Sequence, residues 1–430
     1  MGPNPHRFVG RVAQEYGGFV RFRVVHRSFV ACANAQAVRH ILVSNHQNYP
    51  RAFHSVNGVV VLGNGLIFNE GEEWLARRRM ILPSLKTESV QGLCAISIEE
   101  TRKILGEWEL ASRNGEPVDL LLQIYRLTIS VMGRALLTSG VGREESDAFA
   151  DNIRESIVLL RHRNRSLYNL PTWVPTPHNL QLKKVKSALD GFIEQHIQAR
   201  EQLHEESYPD DILSHMLRAR HPDTGEAIPR SDLIVEIKTL FAAGFETTGA
   251  SLTWCLYLLA KHPSVAAKWR DEIDSVLDGD EPTTESIHRL EYTAAIIHEA
   301  LRMYPPVHGL SRDALADDEI CGMQIRKGDT ILLSIFGVHY DPQDWDSPGE
   351  FHPERFLPGA EWNREAFLPF SVGKHRCIGN IFAQIEMLVA LSLIGQRFEF
   401  SLPDGFEVGE NAFITLTPDR VIPLSVRLRS

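Results

Sequence analysis

The stretch Phe370-Ser371-Val372-Gly373-Lys374-His375-Arg376-Cys377-Ile378-Gly379 constrains this chain more than any other. It holds one cysteine, with a basic cluster just before the sulfur and a long apolar helical pattern just after it. The spacing predicts a helix from about Ile378 to Leu393. A helix N-terminus carries partial positive charge, and basic neighbours lower a thiol's pKa. Gly373 and Gly379 have no Cβ, so the backbone can turn sharply and lie close to a flat ligand. The pattern describes a thiolate offered from a tight loop at the mouth of a helix, as a protein needs to hold an iron through sulfur. A lone cysteine can also be an inert buried residue. A nucleophile is the third reading, but no nearby histidine and acid arrangement demands it.

Composition limits the rest. Of 430 residues, 43% are hydrophobic and 23% charged, as in a soluble globular protein. The net charge of −10 argues against a general nucleic-acid binder. Cys32, Cys94, Cys255, Cys321 and Cys377 are odd in number, far apart and free of CxxC spacing. Neither a disulfide framework nor a zinc site is suggested, so a reducing cytoplasm is expected. No run of about 18 apolar residues is evident, so no transmembrane helix or membrane anchor is expected. The start, Met1 to Phe8, lacks the apolar core of a signal peptide.

Along the chain, Phe19–Val24 alternates with period two ahead of Ser28–Ala31 and reads as a hairpin. Ala35 to Leu42 reads as a short helix, and residues 52–70 as a loop. Gly71 to Arg79 is helical, with acids first and bases later, and places Trp74 and Arg78 on one face. Residues 86–160 are mostly helical, with Leu120, Leu121, Tyr125, Leu127 and Val131 on a buried face. Arg161 to Asn179 breaks the pattern at its prolines. Residues 201–230 read as surface connections around a short helix from Asp211. Ser231, an N-cap, opens the longest helical pattern, which runs to Lys261. Its centre, Ala243-Gly244-Phe245-Glu246-Thr247-Thr248, is poorly chosen for a helix. It reads either as a packing kink with polar residues in solvent or as a local opening over a ligand. Tyr292 to Tyr304 is a helix bearing Glu299 and Arg302 on one face. Strands are expected at Glu319–Ile325, Thr330–Ser334, Phe398–Leu402 and Val421–Leu428, with a turn at Asn411–Leu416.

These segments together resemble the cytochrome P450 family. Phe370, Gly373, His375, Cys377 and Gly379 match its heme-binding signature; Ser371 departs from it, standing where the family usually has glycine. Ala243 to Thr248 matches its oxygen-binding pattern, Glu299 and Arg302 with Pro353-Glu354-Arg355-Phe356 match its Glu-x-x-Arg and Pro-Glu-Arg-Phe segments, and Trp74 with Arg78 matches its Trp-x-x-x-Arg pair. The resemblance implies a mainly α fold with a small β-rich part, at about 15–35 and 307–340, in a single domain spanning 1–430. Heme b (iron protoporphyrin IX) would lie between the long helix and the Cys377 loop. It implies Cys377 as axial thiolate with Phe370 beside it, and Trp74, Arg78, Arg312 and His375 on the heme propionates. Ala243 and Gly244 would leave room for dioxygen, Glu246 and Thr247 would relay protons, and Glu299, Arg302 and Arg355 would form a buried structural triad.

The implied reaction is monooxygenation, in which two electrons and one O₂ give a hydroxylated or epoxidised product plus water. Thiolate donation would favour O–O cleavage. No nucleotide-binding glycine motif or cysteine cluster is found, so electrons are expected from a separate ferredoxin or flavodoxin with its reductase. Lys374, Arg376 and the Arg77–Arg79 helix would form a basic docking patch. The expected substrate is a medium or large hydrophobic molecule (fatty acid, terpenoid or polyketide) of secondary metabolism, and the expected state a monomer. A thiolate-heme isomerase or peroxygenase and a heme sensor without turnover are the alternatives, the last opposed by the intact Glu246-Thr247 pair.

Overall fold

The computed structural model describes residues 5–52, 59–85, 90–138, 143–165 and 170–429. The chain divides into two compact units, one of Met1–Ala52, Ser97–Tyr125 and Thr247–Ser430, the other of Phe53–Ile96 and Arg126–Glu246. Parts of two loops read from the sequence, 53–58 and 166–169, lie outside the described residues.

In the first unit a four-stranded sheet runs in the order Phe19–Val24, Arg27–Cys32, Thr330–Leu333, Leu310–Asp313. The first pair is the expected hairpin, with Phe19 opposite Cys32. Arg27–Cys32 then pairs in parallel with Thr330–Leu333. Inward side chains Val30, Cys32, Ile331 and Leu333 build a core with Ile41, Trp345 and Leu368. The expected single strand Glu319–Ile325 is instead a hairpin, Asp318–Ile320 with Met323–Ile325. Cys321 and Gly322 turn it with φ of 50° and 82°. A second sheet joins Val118–Asp119, Pro423–Leu428 and Phe398–Ser401. Asn411–Leu416 is the heart of another hairpin, Glu410–Ala412 with Leu416–Pro418. The last long helix runs Asn380–Arg397. Its Glu386 is fully buried, neither carboxyl oxygen has a hydrogen-bond partner among the described residues, and burial pushes its pKa well above the usual range.

In the second unit, helix Gly71–Ile81 carries Arg77 inward. Arg77 donates to Glu236 (3.2 Å), Asp232 (2.9 Å) and Glu73 (3.0 Å). Arg77 therefore does not contribute to a basic surface, contrary to expectation. The buried Glu236 carboxylate needs a counter-charge, and a guanidinium can serve several acceptors at once. Glu236 also accepts from the Leu66 N–H at 3.0 Å. Two residues on, the buried Lys238 pairs with Asp190 and donates to the Val61 carbonyl at 3.2 Å. Residues 59–66 are thus laced to the long helix, and Val59–Leu62 is itself helical where a loop was expected. The long helix is Arg230–Lys261, 32 residues and roughly 48 Å, with Arg230–Glu246 in this unit and Thr247–Lys261 in the first. It opens one residue before Ser231, with the Pro229 carbonyl accepting from Asp232 and Leu233. Within the segment read as surface connection, Asp211 is buried and pairs with Arg200 of the preceding helix at 2.6 and 2.7 Å. Helix Leu120–Leu137 is long and apolar enough to cross a membrane, against expectation, but 61% of it is buried inside the fold. It also carries Arg126 and Arg134, and core helices meet the same criterion.

Back in the first unit, helix Glu291–Met303 presents Glu299 and Arg302, both fully buried. Arg302 grips Glu299 through two bonds of 2.7 and 2.9 Å. Arg355 adds a third at 3.0 Å and the His352 N–H a fourth at 3.0 Å. Ahead of the last helix, Ser371 adopts a left-handed φ of 57° and Gly373 one of 74°. A side chain at Gly373 would collide with the Leu42 carbonyl.

Replacing Glu299 with alanine should destabilise the protein by about 3–5 kcal/mol, because two guanidinium groups lose their buried counter-charge; denaturant unfolding measures it. Ser371→Gly should raise stability by about 1 kcal/mol in the same assay, since the left-handed conformation strains a residue with a Cβ.

Candidate functional site

The loop before the last helix is a chain of backbone hydrogen bonds. Ser371 N–H donates to the Leu368 carbonyl (3.0 Å), Arg376 N–H to that of Gly373 (3.1 Å), and Cys377 N–H to that of Phe370 (2.9 Å). Gly373–His375 makes one 3₁₀ turn, and the helix starts at Asn380, two residues later than the spacing predicts, with Gly379 as its cap. Cys377 is exposed, whereas Cys32, Cys94 and Cys255 are buried. Burial pushes the Cys32 thiol up to about 12, as expected of an inert cysteine. Cys321 is exposed too, but it sits in the turn of the Asp318–Ile325 hairpin, whereas Cys377 lies just ahead of a helix start.

Basic groups gather on the same unit. His375 Nδ1 accepts from Arg51 Nη2 at 3.0 Å. Arg51 in turn forms a β-bridge with Arg312, which is buried and donates to the Ser311 carbonyl at 2.8 Å. Sequence reasoning missed Arg51, a single arginine after Pro50 with no motif around it. The donor set fits a flat, dianionic cofactor held through iron: a soft thiolate for the metal and guanidinium forks with an imidazole for carboxylates.

On the second unit, Trp74 is buried, with the Arg78 guanidinium 5.5 Å from its ring centre. Its indole N–H donates to the Leu66 carbonyl at 3.2 Å. Ala243, Gly244, Glu246 and Thr247 are half-buried on the long helix, which is helical without a break through them. Of the two readings of this centre, the local opening is thus not seen. The Phe245 carbonyl accepts from Thr128 Oγ1 (3.0 Å) and that of Thr247 from Ser251 Oγ (2.8 Å). A side chain at Gly244 would meet the flexible end of the Met132 side chain, which would have to shift, a contact that the sequence did not reveal.

The family model described as Cytochrome P450 matches residues 1–419. The protein LUTEIN DEFICIENT 5, chloroplastic, of Arabidopsis thaliana is 31% identical over 413 residues, covering 91% of this chain and 68% of that protein. The cyclooctat-9-en-7-ol 5-monooxygenase of Streptomyces melanosporofaciens is 31% identical over 379 residues, covering 86% and 80%. Human cytochrome P450 4A11 is 31% identical over 368 residues, covering 80% and 69%. Among solved structures, the heme domain of cytochrome P450DA superposes with a TM-score of 0.91 at 25% identity, covering all of this chain and 94% of that one. The chain belongs to the cytochrome P450 family: it has the P450 fold, and it is a monooxygenase whose cofactor is heme b.

Proposed function

We propose that this monooxygenase hydroxylates or epoxidises a medium or large hydrophobic molecule, working as a single-domain cytoplasmic monomer with electrons from a separate ferredoxin or flavodoxin. The observation that carries the reading is the accessible Cys377 sulfur just ahead of helix Asn380–Arg397, on the unit that also gathers Arg51, Arg312 and His375. When bound, heme b supplies the iron at which O₂ is activated. Cys377 would hold that iron, and Phe370 and Gly379 would shape the loop beside it. His375, Arg312 and Arg51 would hold the carboxylates, as would Arg78, whereas the Trp74 indole, its N–H given to the Leu66 carbonyl, would serve by packing against Arg78. Ala243 and Gly244 give the long helix its smallest side chains next to Glu246 and Thr247. Those two place a titratable group and a rotating hydroxyl in series, which is what moving a proton requires. The triad of Glu299, Arg302 and Arg355 is structural.

For the substrate, the support is a relative named for acting on cyclooctat-9-en-7-ol, an alcohol on a hydrocarbon skeleton. For the redox partner, it is the pair of exposed bases Lys374 and Arg376 beside Cys377. They suit an acidic protein surface through complementary charge.

The reduced carbon monoxide complex of the purified protein should show the red-shifted thiolate-type Soret band, and Cys377→Ala should lose it; a variant that keeps the band refutes the ligand assignment. Product should form with reductase and O₂ but not with peroxide alone. Charge reversal at Lys374 and Arg376 should slow reduction by an acidic ferredoxin most strongly at low salt, where screening is weakest. Stopped-flow reduction rates that do not respond exclude this face as the docking surface.

A further inference from the structure

His339 ends the short helix Ile335–His339 and is completely buried. Its ring nitrogens touch two backbone groups from distant parts of the first unit. Nε2 lies 2.9 Å from the Leu368 nitrogen, and Nδ1 lies 3.1 Å from the Arg302 carbonyl oxygen. A peptide N–H can only donate, so Nε2 must present a lone pair to Leu368. A carbonyl can only accept, so the ring proton must sit on Nδ1. One neutral tautomer satisfies both contacts, and the imidazolium satisfies only one. Burial, reinforced by the Arg302 charge, pushes the His339 pKa down to about 3, so the ring stays neutral at ordinary pH. The ring is also fixed in orientation. Phe367 stacks on it at 5.8 Å and 28°, and Trp345 meets it edge-on at 6.4 Å. Arg302 returns the contact by donating to the His339 carbonyl at 2.8 Å.

Leu368 is the residue from which the cysteine loop departs. Its own carbonyl accepts from Ser371 at 3.0 Å, and two residues on, the Phe370 carbonyl accepts the Cys377 N–H at 2.9 Å. The path from the Glu299–Arg302 pair to the sulfur therefore passes through one side chain and a few peptide groups. Leu368 is itself buried, so without an acceptor its N–H would be an unsatisfied donor in the interior. The loop could relieve this only by moving, and Ser371, already left-handed, sits at the bend that would move.

We propose that His339 is a positioning residue for the thiolate ligand: its neutral imidazole fixes the Leu368 peptide against Arg302 and thereby sets the backbone that aims Cys377. The proposal rests on Cys377 being the iron's ligand. It predicts that replacing the ring with an apolar one of similar size loosens the ligand loop selectively, beyond any general loss of stability.

The test uses the holoprotein and three variants. His339→Phe removes both hydrogen bonds. His339→Gln keeps an amide carbonyl able to reach the Leu368 N–H. Ile296→Ala creates a cavity at a buried site on the helix that bears Glu299, as a control for stability alone. The readouts are the ratio of thiolate-type to thiol-type Soret bands in the reduced carbon monoxide complex, the thermal midpoint, and hydrogen exchange of the Leu368 amide in wild type and variants. His339→Phe should convert most of the complex to the thiol-type band and speed Leu368 exchange by about tenfold or more. His339→Gln should recover most of the wild-type ratio, and Ile296→Ala should lower the midpoint while keeping that ratio. If His339→Phe keeps the wild-type ratio, or if Ile296→Ala shifts it equally, His339 is merely structural and the proposal fails. Fast exchange of the Leu368 amide in wild type also overturns it, whether or not His339→Phe folds. A wild-type protein with no thiolate-type band overturns the Cys377 reading itself and this proposal with it.

Discussion

One buried carboxylate organises the irregular stretch from His339 to Arg355 in the first unit. Glu299 accepts from Arg302 twice, from Arg355 and from the His352 N–H. Freed from competing for a counter-ion, Arg302 turns its remaining donors on the carbonyls of His339, Pro348 and Glu350. Arg355 does the same with Asp346. A stretch with few regular hydrogen bonds of its own is thus fastened at several points to one helix. Burying these charges costs desolvation, and the pairing returns it only because nearly every donor finds an acceptor. Such a node contributes less net stability than its bond count suggests, but it leaves the chain few alternative arrangements.

The second unit uses the same device for a different purpose. Glu236 and Lys238 lie two residues apart on the long helix, both fully buried. Glu236 holds Arg77 and the Leu66 N–H, while Lys238 holds Asp190 and the Val61 carbonyl. Burial works against both charges, raising the Glu236 pKa and lowering that of Lys238. What the charges achieve is a fixed path for residues 59–66, whose Val61 carbonyl and Leu66 N–H they hold.

Much of this was legible in the sequence where a pattern repeats or a motif has fixed spacing. The Phe19–Cys32 hairpin, the long helix, the Glu299–Arg302 pair and the loop at Cys377 all announce themselves locally. What the sequence hid are contacts between residues far apart in the chain. Arg77 looked like one of three surface bases because its partners, Asp232 and Glu236, come about 155 positions later. Gly244 looked like a gap in a helix because Met132 is not its neighbour in sequence. Val118–Asp119 is too short to show any alternation and is a strand only because Pro423–Leu428 pairs with it. Arg51 and His339 carry no pattern at all, since their roles are set by the backbone groups that arrive beside them.

Glu386 gives the fold an acid–base asymmetry that the formal charge count conceals. Buried, with neither oxygen hydrogen-bonded among the described residues, its carboxyl has its pKa held by desolvation well above the usual range in the native state. An unfolded chain would release the carboxyl proton above its ordinary value of 4.5. The native state therefore binds more protons than the unfolded one, so this group's contribution to stability is complete in acid and erodes as pH climbs past that value. The erosion ends only where the buried acid itself ionises. In a chain whose paired carboxylates favour neutral conditions, one residue on the helix behind Cys377 pulls the other way.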